Sequence, residues 1–92
     1  IPTHDMSPAL KICGSKSARD TDKFAAANLT AQKSQKVTPP VIAGAGMHFE
    51  CQVLYRQDML NDNIDKTTAE RWYADNDWHT LYFGEIIAAY ED

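Results

Sequence analysis

The chain has 92 residues, 43% of them hydrophobic and 24% charged, which suffices for one small domain and excludes a two-domain enzyme. Its net charge of −4 divides into +3 over residues 1–46 and −7 over residues 47–92, a balance that argues against nucleic-acid binding but allows a small anionic ligand near the basic half. No apolar run is long enough to span a bilayer, so we expect no membrane partner. Cys13 and Cys51 supply neither a disulfide framework nor a metal-binding spacing, so we expect two reduced thiols in a cytoplasmic protein.

Two short helices are predicted in the first third of the chain. The first covers residues 7–14, with Ser7 as the N-cap and Gly14 as the left-handed residue that ends it. The second covers residues 21–27 and is expected to start at Asp20, whose carboxylate can accept hydrogen bonds from the free N–H groups of a first turn.

The segment between these helices and the first long strand is predicted to be largely extended. Asn28 is expected to end the second helix in a left-handed conformation. Residues 30–40 are polar and end in two prolines, which exclude a helix, and residues 41–42 are expected to form a short strand. Small residues at 43–46 predict a turn.

Two long strands are predicted in the second half of the chain. Residues 47–56 alternate between apolar and polar side chains, which predicts a half-buried strand. The apolar face, which is expected to be the buried one, consists of Met47, Phe49, Cys51, Val53 and Tyr55. Residues 78–90 are rich in aromatic and branched side chains and predict the second long strand.

The segment between the long strands, residues 58–77, is polar and is predicted to be an insertion. Within it, Thr67 and Glu70 have the spacing of a capping box, in which each side chain accepts a hydrogen bond from the backbone N–H of the other residue. A short helix is therefore expected to begin at Thr67 and to end at Trp72 or Tyr73.

These elements predict a mainly β protein, in which two short N-terminal helices precede two long antiparallel strands with an inserted helical excursion. Two strands alone are marginally stable, and the apolar face of the first needs more sheet to cover it. The chain also opens at Ile1, with neither an initiating Met nor a signal peptide. We therefore expect a fragment of a larger domain, or a chain whose partner supplies the missing strands.

Residues 16–23, which we call the basic loop, combine groups that bind anions. Lys16 and Arg19 are cations on either side of the hydroxyl of Ser17, and the loop leads into the second predicted helix. Arg binds a phosphate through two parallel hydrogen bonds, Lys adds a point charge, and helix N-terminal N–H groups favour an anion. The same residues also suit a solvated helix cap with local salt bridges, so their chemistry leaves both interpretations open.

The remaining candidate residues favour structural roles. The three histidines are too far apart in sequence to predict a metal site. Cys51 lies on the apolar strand face, opposite His48, which predicts an inert, buried thiol rather than a cysteine nucleophile. His79, next to Trp78, either faces a planar ligand or is a hydrogen-bonded structural residue. No catalytic side chain is predicted.

Three segments of the chain carry recognisable motifs: GSKSARDTDKF at residues 14–24 with AAANLT after it, FECQVLYRQD at 49–58, and DWHTLYFGEII at 77–87. In this order and spacing they resemble the GxxSGRDxDKF…GLT, LECxxLYRQD and DxHxxYxGEI segments of the flavin reductase-like proteins. These form the flavoredoxin-type family of FMN-binding split barrels. Each motif is moderately specific, and together they extend over residues 14–87, most of the chain.

The resemblance implies a small antiparallel β-barrel with flanking helices, usually a homodimer, that binds FMN at the dimer edge. The implied activity is NAD(P)H-dependent flavin reduction or electron transfer through bound FMN, in which the cofactor carries the reaction. Family members are roughly twice this length, so residues 1–92 are expected to be the C-terminal portion of a single flavin reductase-like domain whose N-terminal half is absent. The implied partners are flavin, a nicotinamide, and a second copy or a companion N-terminal segment.

The resemblance also implies which residues lie near the cofactor. The candidate cofactor-binding residues are Lys16, Ser17, Ala18, Arg19, Lys23 and His79. The first five belong to the family loop that lies near the flavin, with Ala18 where the family usually has Gly, and His79 matches a histidine on the nicotinamide side. The main hypothesis is a fragment of an FMN-binding oxidoreductase. The alternative is a non-catalytic split-barrel module that pairs with another chain and holds no flavin.

Overall fold

The computed structural model describes all 92 residues and contains three helices and four strands. The helices are α1 (Ser7–Ser15), α2 (Lys23–Ala26) and α3 (Lys66–Trp72), and a single 3-10 turn occupies Asn61–Asn63. The strands are β1 (Ala31–Gln32), β2 (Val41–Ile42), β3 (Met47–Asp58) and β4 (Thr80–Glu91). The chain is therefore a mixed α and β structure rather than a mainly β one. The predicted elements occur in the predicted order, whereas β1 and the 3-10 turn were not predicted.

The strands form two separate two-stranded antiparallel sheets, β1 with β2 and β3 with β4. In the second sheet, Asp92 N–H donates to the Gly46 carbonyl at one end and Met59 N–H donates to the His79 carbonyl at the other, which fixes the antiparallel direction. Neither sheet closes into a barrel.

The residues divide into two compact units. The first unit comprises Ile1–Cys51 and Ile86–Asp92, and the second unit comprises Gln52–Glu85. β3 and β4 each contribute one part to the first unit and one to the second. Among the helices, none has both the length and the apolar composition needed to cross a membrane.

The start of β3 is held between two backbone neighbours in the first unit. Met47 N–H donates to the Ile1 carbonyl on one side, and the Gly46 carbonyl accepts from Asp92 N–H on the other. Gly46 has a φ of +104°, and a Cβ at this position would overlap the hydroxyl of Thr3. This residue must therefore be glycine for the N-terminal segment to approach so closely.

The limits of α1 differ from the prediction at both ends. Asp5 Oδ1 accepts hydrogen bonds from the backbone N–H and the hydroxyl of Ser7, at 3.0 and 2.6 Å, so Asp5 rather than Ser7 supplies the acceptor at this end. These bonds lower the pKa of Asp5. Gly14 lies inside the helix without a positive φ, and Lys16 ends the helix in an extended conformation.

The other two helices begin at aspartates that differ from the predicted N-caps. Asp22 rather than Asp20 is the N-cap of α2, and its carboxylate accepts from Ala25 N–H. Asp65 rather than Thr67 is the N-cap of α3. Asn28 has a φ of +53°, which confirms the predicted left-handed residue after α2.

The predicted buried face of β3 is wrong, and burial alternates only over residues 47–50, because residues 51–58 are exposed on both faces. In the first unit the polar residues His48 and Glu50 are 4% and 2% exposed, whereas Phe49 is 41% exposed and Cys51 is exposed. In the second unit the apolar side chains of β3 and β4 are largely open to solvent as well. They are Val53, Leu54, Tyr55, Leu81, Tyr82 and Phe83. A two-stranded sheet has no second layer to cover them.

Candidate functional site

The basic loop lies in the first unit and folds around Ser17. The Ser17 carbonyl accepts hydrogen bonds from the N–H groups of Asp20 and Thr21, at 3.1 and 3.0 Å, which closes a turn. The Ser17 hydroxyl accepts from the backbone N–H and Nε of Arg19, at 3.2 and 3.3 Å. Ser17 therefore binds Arg19 at Nε and leaves the two terminal nitrogens of the guanidinium without a protein partner.

Two of the three cations of the basic loop, Lys16 and Arg19, are free to bind an anion. Lys16 and Arg19 are exposed, and neither forms a salt bridge. Of the alternative interpretation of the loop, a solvated helix cap is present at Asp22, whereas the expected local salt bridges are not. A planar guanidinium and a nearby ammonium are the donor set that suits a phosphate group.

The helix after the basic loop does not contribute to anion binding. α2 has four residues, and the carboxylate of Asp22 occupies its N-terminus. The expectation that its N–H groups would help to hold an anion is therefore wrong, because the cap is itself an anion. Ala18 is exposed and has no positive φ, so its methyl group causes no backbone strain at the position where the resembled family usually has Gly.

Lys23 is half-buried, and its ammonium points at α1 rather than standing free in the loop. Its Nζ donates a 2.8 Å hydrogen bond to the Cys13 carbonyl. Because the last four carbonyls of a helix have no partner within the helix, Lys23 satisfies one of them and lies near the negative end of the helix dipole. It thereby ties the basic loop to the end of α1.

Replacing Lys23 with methionine is expected to lower the free energy of unfolding by about 0.5–1.5 kcal/mol, since it removes this hydrogen bond and keeps the length of the side chain. Urea denaturation monitored by circular dichroism measures the change. The matched control is Lys33→Met, because Lys33 is exposed and has no hydrogen-bond partner. Equal stabilities of the two variants would show that Lys23 does not cap α1.

A second polar feature of the first unit is a buried carboxylate that sequence reasoning missed. Glu50 Oε2 accepts from Gln35 N–H at 2.7 Å and from the Tyr90 hydroxyl at 2.5 Å, and Oε1 accepts from the N–H groups of Lys36 and Val37 at 2.5 and 3.1 Å. We call these five residues the Glu50 network. All the acceptor capacity of the carboxylate is used inside the protein, so its role is structural.

The Glu50 network shifts the ionisation of both its titratable members. Burial by itself would raise the pKa of Glu50, but the hydrogen bonds from Tyr90 and from three backbone N–H groups outweigh burial and lower the pKa to about 2. The hydrogen bond to Glu50, together with burial and the nearby negative charge, raises the pKa of Tyr90 to about 12. The carboxylate is therefore ionised and the phenol neutral throughout the physiological range.

His48 is also engaged in the first unit. Its Nε2 contacts the carboxylate of Asp92, whose other oxygen accepts from Gly46 N–H, and its ring lies 5.2 Å from that of Tyr90. The hydrogen bond with His48 lowers the pKa of Asp92. The prediction that Cys51 is a buried thiol is wrong, because this cysteine is exposed on the other face of β3 from His48.

An apolar cavity of about 350 Å³ lies in the same unit as the basic loop. Side chains from α1, β2 and the start of β3 line it, among them Leu10, Cys13, Ile42 and Phe49, together with Met6 and Leu29 from the connecting segments. The volume falls in the range of pockets that hold small molecules. Cys13 joins the cavity to the basic loop, because its carbonyl is the acceptor for Lys23.

His79 belongs to the second unit, whereas the five candidate residues of the basic loop belong to the first. Its Nδ1 is 2.6 Å from the hydroxyl of Tyr73, and its ring meets the Tyr73 ring edge-on at 5.4 Å. Tyr73 in turn stacks on Trp78, with ring centroids 4.6 Å apart and planes inclined by 15°. His79 is thus hydrogen-bonded at one nitrogen, while its exposed ring keeps Nε2 without a protein partner.

One comparison with known proteins finds a relationship. The family model described as the flavin reductase like domain matches residues 1–92. No curated protein and no solved structure matches the chain significantly. The family match confirms the resemblance that the three sequence motifs carry.

Proposed function

Because this chain belongs to the flavin reductase-like domain family, and so is a flavin-related oxidoreductase-type module, we propose that it helps to move electrons from NAD(P)H to flavin with FMN as its cofactor. We further propose that residues 1–92 form the C-terminal portion of an FMN-binding split barrel. The observation that carries the proposal is the pair of unpaired cations, Lys16 and Arg19, on a loop whose geometry is fixed by Ser17.

The basic loop suits the phosphate end of FMN. Ser17 accepts from Arg19 Nε and so turns the two terminal guanidinium nitrogens away from the loop, as a bidentate hydrogen bond to phosphate requires. Lys16 adds a second positive charge, and Lys23 ties the loop to α1. When bound, the flavin supplies the hydride-accepting chemistry.

The apolar cavity beside α1 suits the ring end of a flavin. Its walls are mainly aliphatic, and the bond from Lys23 to Cys13 connects it with the basic loop. Burial of an aromatic ring against such side chains is favourable. We therefore assign the phosphate to the loop and the isoalloxazine to the cavity.

Replacing Arg19 with alanine is expected to weaken FMN binding about tenfold, because a charge-assisted hydrogen bond to phosphate is lost. Isothermal titration calorimetry measures the dissociation constant. Riboflavin, which lacks the phosphate, should bind wild type and variant alike. The control is Arg56→Ala, since Arg56 is an exposed arginine of the second unit. Unchanged FMN affinity, or an equal loss for riboflavin, would contradict the loop assignment.

The proposed electron transfer is tested on the same protein loaded with FMN. Oxidation of NADH or NADPH, followed by absorbance, should depend on added flavin. A second candidate function, a non-catalytic pairing module, is favoured by the exposed apolar side chains of β3 and β4, such as Val53 and Phe83. A stable oligomer that retains no FMN and oxidises neither nucleotide would support that module and exclude the reductase.

A further inference from the structure

His48 brings the only side chain with a nitrogen or oxygen atom to the wall of the apolar cavity. The other side chains that line the cavity are aliphatic or aromatic, apart from the sulfur atoms of Met6 and Cys13. Pockets for small molecules are mostly apolar and contain a few polar groups that fix the orientation of the ligand. His48 is therefore the one side chain of this wall that can form a strong hydrogen bond with a ligand.

One nitrogen of the His48 ring is used inside the protein and the other is not. Nε2 contacts the carboxylate of Asp92, whereas Nδ1 has no hydrogen-bond partner in the protein. The His48 side chain is only 4% exposed, yet no polar side-chain atom that is closed off from solvent lacks a partner in this structure. The small accessible part of the ring therefore includes Nδ1, and the cavity is the open space that His48 adjoins.

The contact with Asp92 fixes the role of each ring nitrogen. An ionised carboxylate only accepts hydrogen bonds, so Nε2 carries a proton and donates it to Asp92. The hydrogen bond with His48 lowers the pKa of Asp92, which keeps this carboxylate ionised. The ring of Tyr90, with its centroid 5.2 Å from that of the imidazole, packs beside it and limits its rotation. In the neutral imidazole, Nδ1 is consequently an acceptor.

We propose that His48 is a specificity-determining residue of the cavity, whose Nδ1 accepts a hydrogen bond from a ring N–H of the bound ligand. For FMN, an identity that rests on the proposed function, the donor is the N3–H of the isoalloxazine, the only N–H of the oxidised ring. A ring of the same shape without this N–H leaves Nδ1 unpaired among apolar side chains and binds less tightly. Asp92 acts through His48, as its positioning residue.

Calorimetric titration with FMN and with 3-methyl-FMN, in which a methyl group replaces the N3 proton, tests this contact. The wild type should bind FMN about tenfold more tightly than 3-methyl-FMN, as expected for the loss of one hydrogen bond. His48→Gln keeps an N–H donor for Asp92 but removes Nδ1, so it should bind the two flavins about equally. If the variant preferred FMN as strongly as wild type, the size of the methyl group would explain the preference and the proposal would be overturned.

The matched control for this titration is His4→Gln. His4 is an exposed histidine of the first unit and does not line the cavity. The control should keep the wild-type preference for FMN. An equal loss of preference in His4→Gln and His48→Gln would mean that the contact with N3–H is not specific to His48.

A second measurement uses the wild-type protein alone and so does not depend on the folding of a variant. Long-range ¹H–¹⁵N spectra at about pH 8, above the ordinary pKa of imidazole, should show His48 protonated at Nε2 and unprotonated at Nδ1. Addition of FMN should shift the Nδ1 resonance, and 3-methyl-FMN should shift it much less. A proton on Nδ1 in the free protein, or equal responses to the two flavins, would overturn the role of His48.

A protein that binds neither flavin would contradict the proposed function rather than the role of His48. Lumazine, a smaller ring system with the same imide N–H, is the probe for that case. Its addition should shift the Nδ1 resonance of His48 in wild type. No response of Nδ1 to lumazine would overturn the role of His48 as well.

Discussion

Replacing Glu50 with alanine should lower the midpoint of thermal unfolding by more than about 10 °C. The substitution leaves three backbone N–H groups, those of Gln35, Lys36 and Val37, with no acceptor at the site of a side chain that is 2% exposed. An unpaired donor in such a place costs far more than a lost surface hydrogen bond, and the hydroxyl of Tyr90 loses its partner too.

Circular dichroism of the thermal transition checks this result. Tyr90→Phe removes one of the four hydrogen bonds to Glu50 and should lower the midpoint by a few degrees only. The matched control is Glu91→Ala, which deletes an exposed carboxylate of β4. A Glu50→Ala midpoint close to that of the control would mean that the segment at residues 35–37 is held by something other than Glu50.

The stability of the chain should also fall steeply in acid, between about pH 4.5 and pH 2. The pKa of Glu50 is about 2 in the folded chain against an ordinary value of 4.5. A folded-state pKa below the unfolded one stabilises the fold above the unfolded value, and this contribution disappears as the pH falls toward the folded value. Asp5 and Asp92, whose pKa values are also lowered, add to the same loss.

The pKa of Tyr90 is raised whereas that of Glu50 is lowered, so Tyr90 affects stability at alkaline pH. Its pKa is raised from 10.0 to about 12, so its contribution is complete below pH 10 and is lost as the pH rises through 12. The free energy of unfolding should therefore be nearly constant between about pH 4.5 and pH 10. The urea midpoint measured across this pH range gives the profile.

The variant Glu50→Gln distinguishes the contribution of Glu50 to the loss of stability in acid from that of the other carboxylates. The amide keeps one oxygen acceptor but does not titrate, so the variant should be less stable at neutral pH and should lose less stability in acid than wild type. Glu91→Gln should keep the wild-type profile. If wild type and Glu50→Gln lost stability in parallel below pH 4.5, Glu50 would not be the group responsible.

The sequence predicted the local elements of the fold because their signals lie within a few neighbouring residues. Asn28 after α2 and the short strand at Val41–Ile42 are examples. The N-cap residues of the helices were harder to predict, because several suitable side chains lie close together in the sequence. Whether Asp22 or Asp20 caps α2 depends on backbone geometry. The candidate loop was identified from its charges and its motif, whereas the hydrogen bonds between Ser17 and Arg19 were not predicted.

Long-range contacts explain what the sequence could not predict. The buried face of β3 depends on Glu50, whose partners lie 13 to 15 residues away in one direction and 40 in the other. Hydrophobic alternation contains no information about such contacts, so it favoured the wrong face. To predict the contact between Tyr73 and His79, one would likewise need to know the orientation of α3.

The stacking of Trp78 on Tyr73 has a spectroscopic consequence. Both tryptophans of the chain, Trp72 and Trp78, belong to the second unit. Indole fluorescence therefore reports on this unit alone, and the emission of Trp78 should respond when its contact with Tyr73 is lost. The Glu50 network contains no tryptophan, so its loss in acid is silent in that emission unless both units unfold together. A comparison of indole emission with circular dichroism thus reveals whether the two units unfold as one.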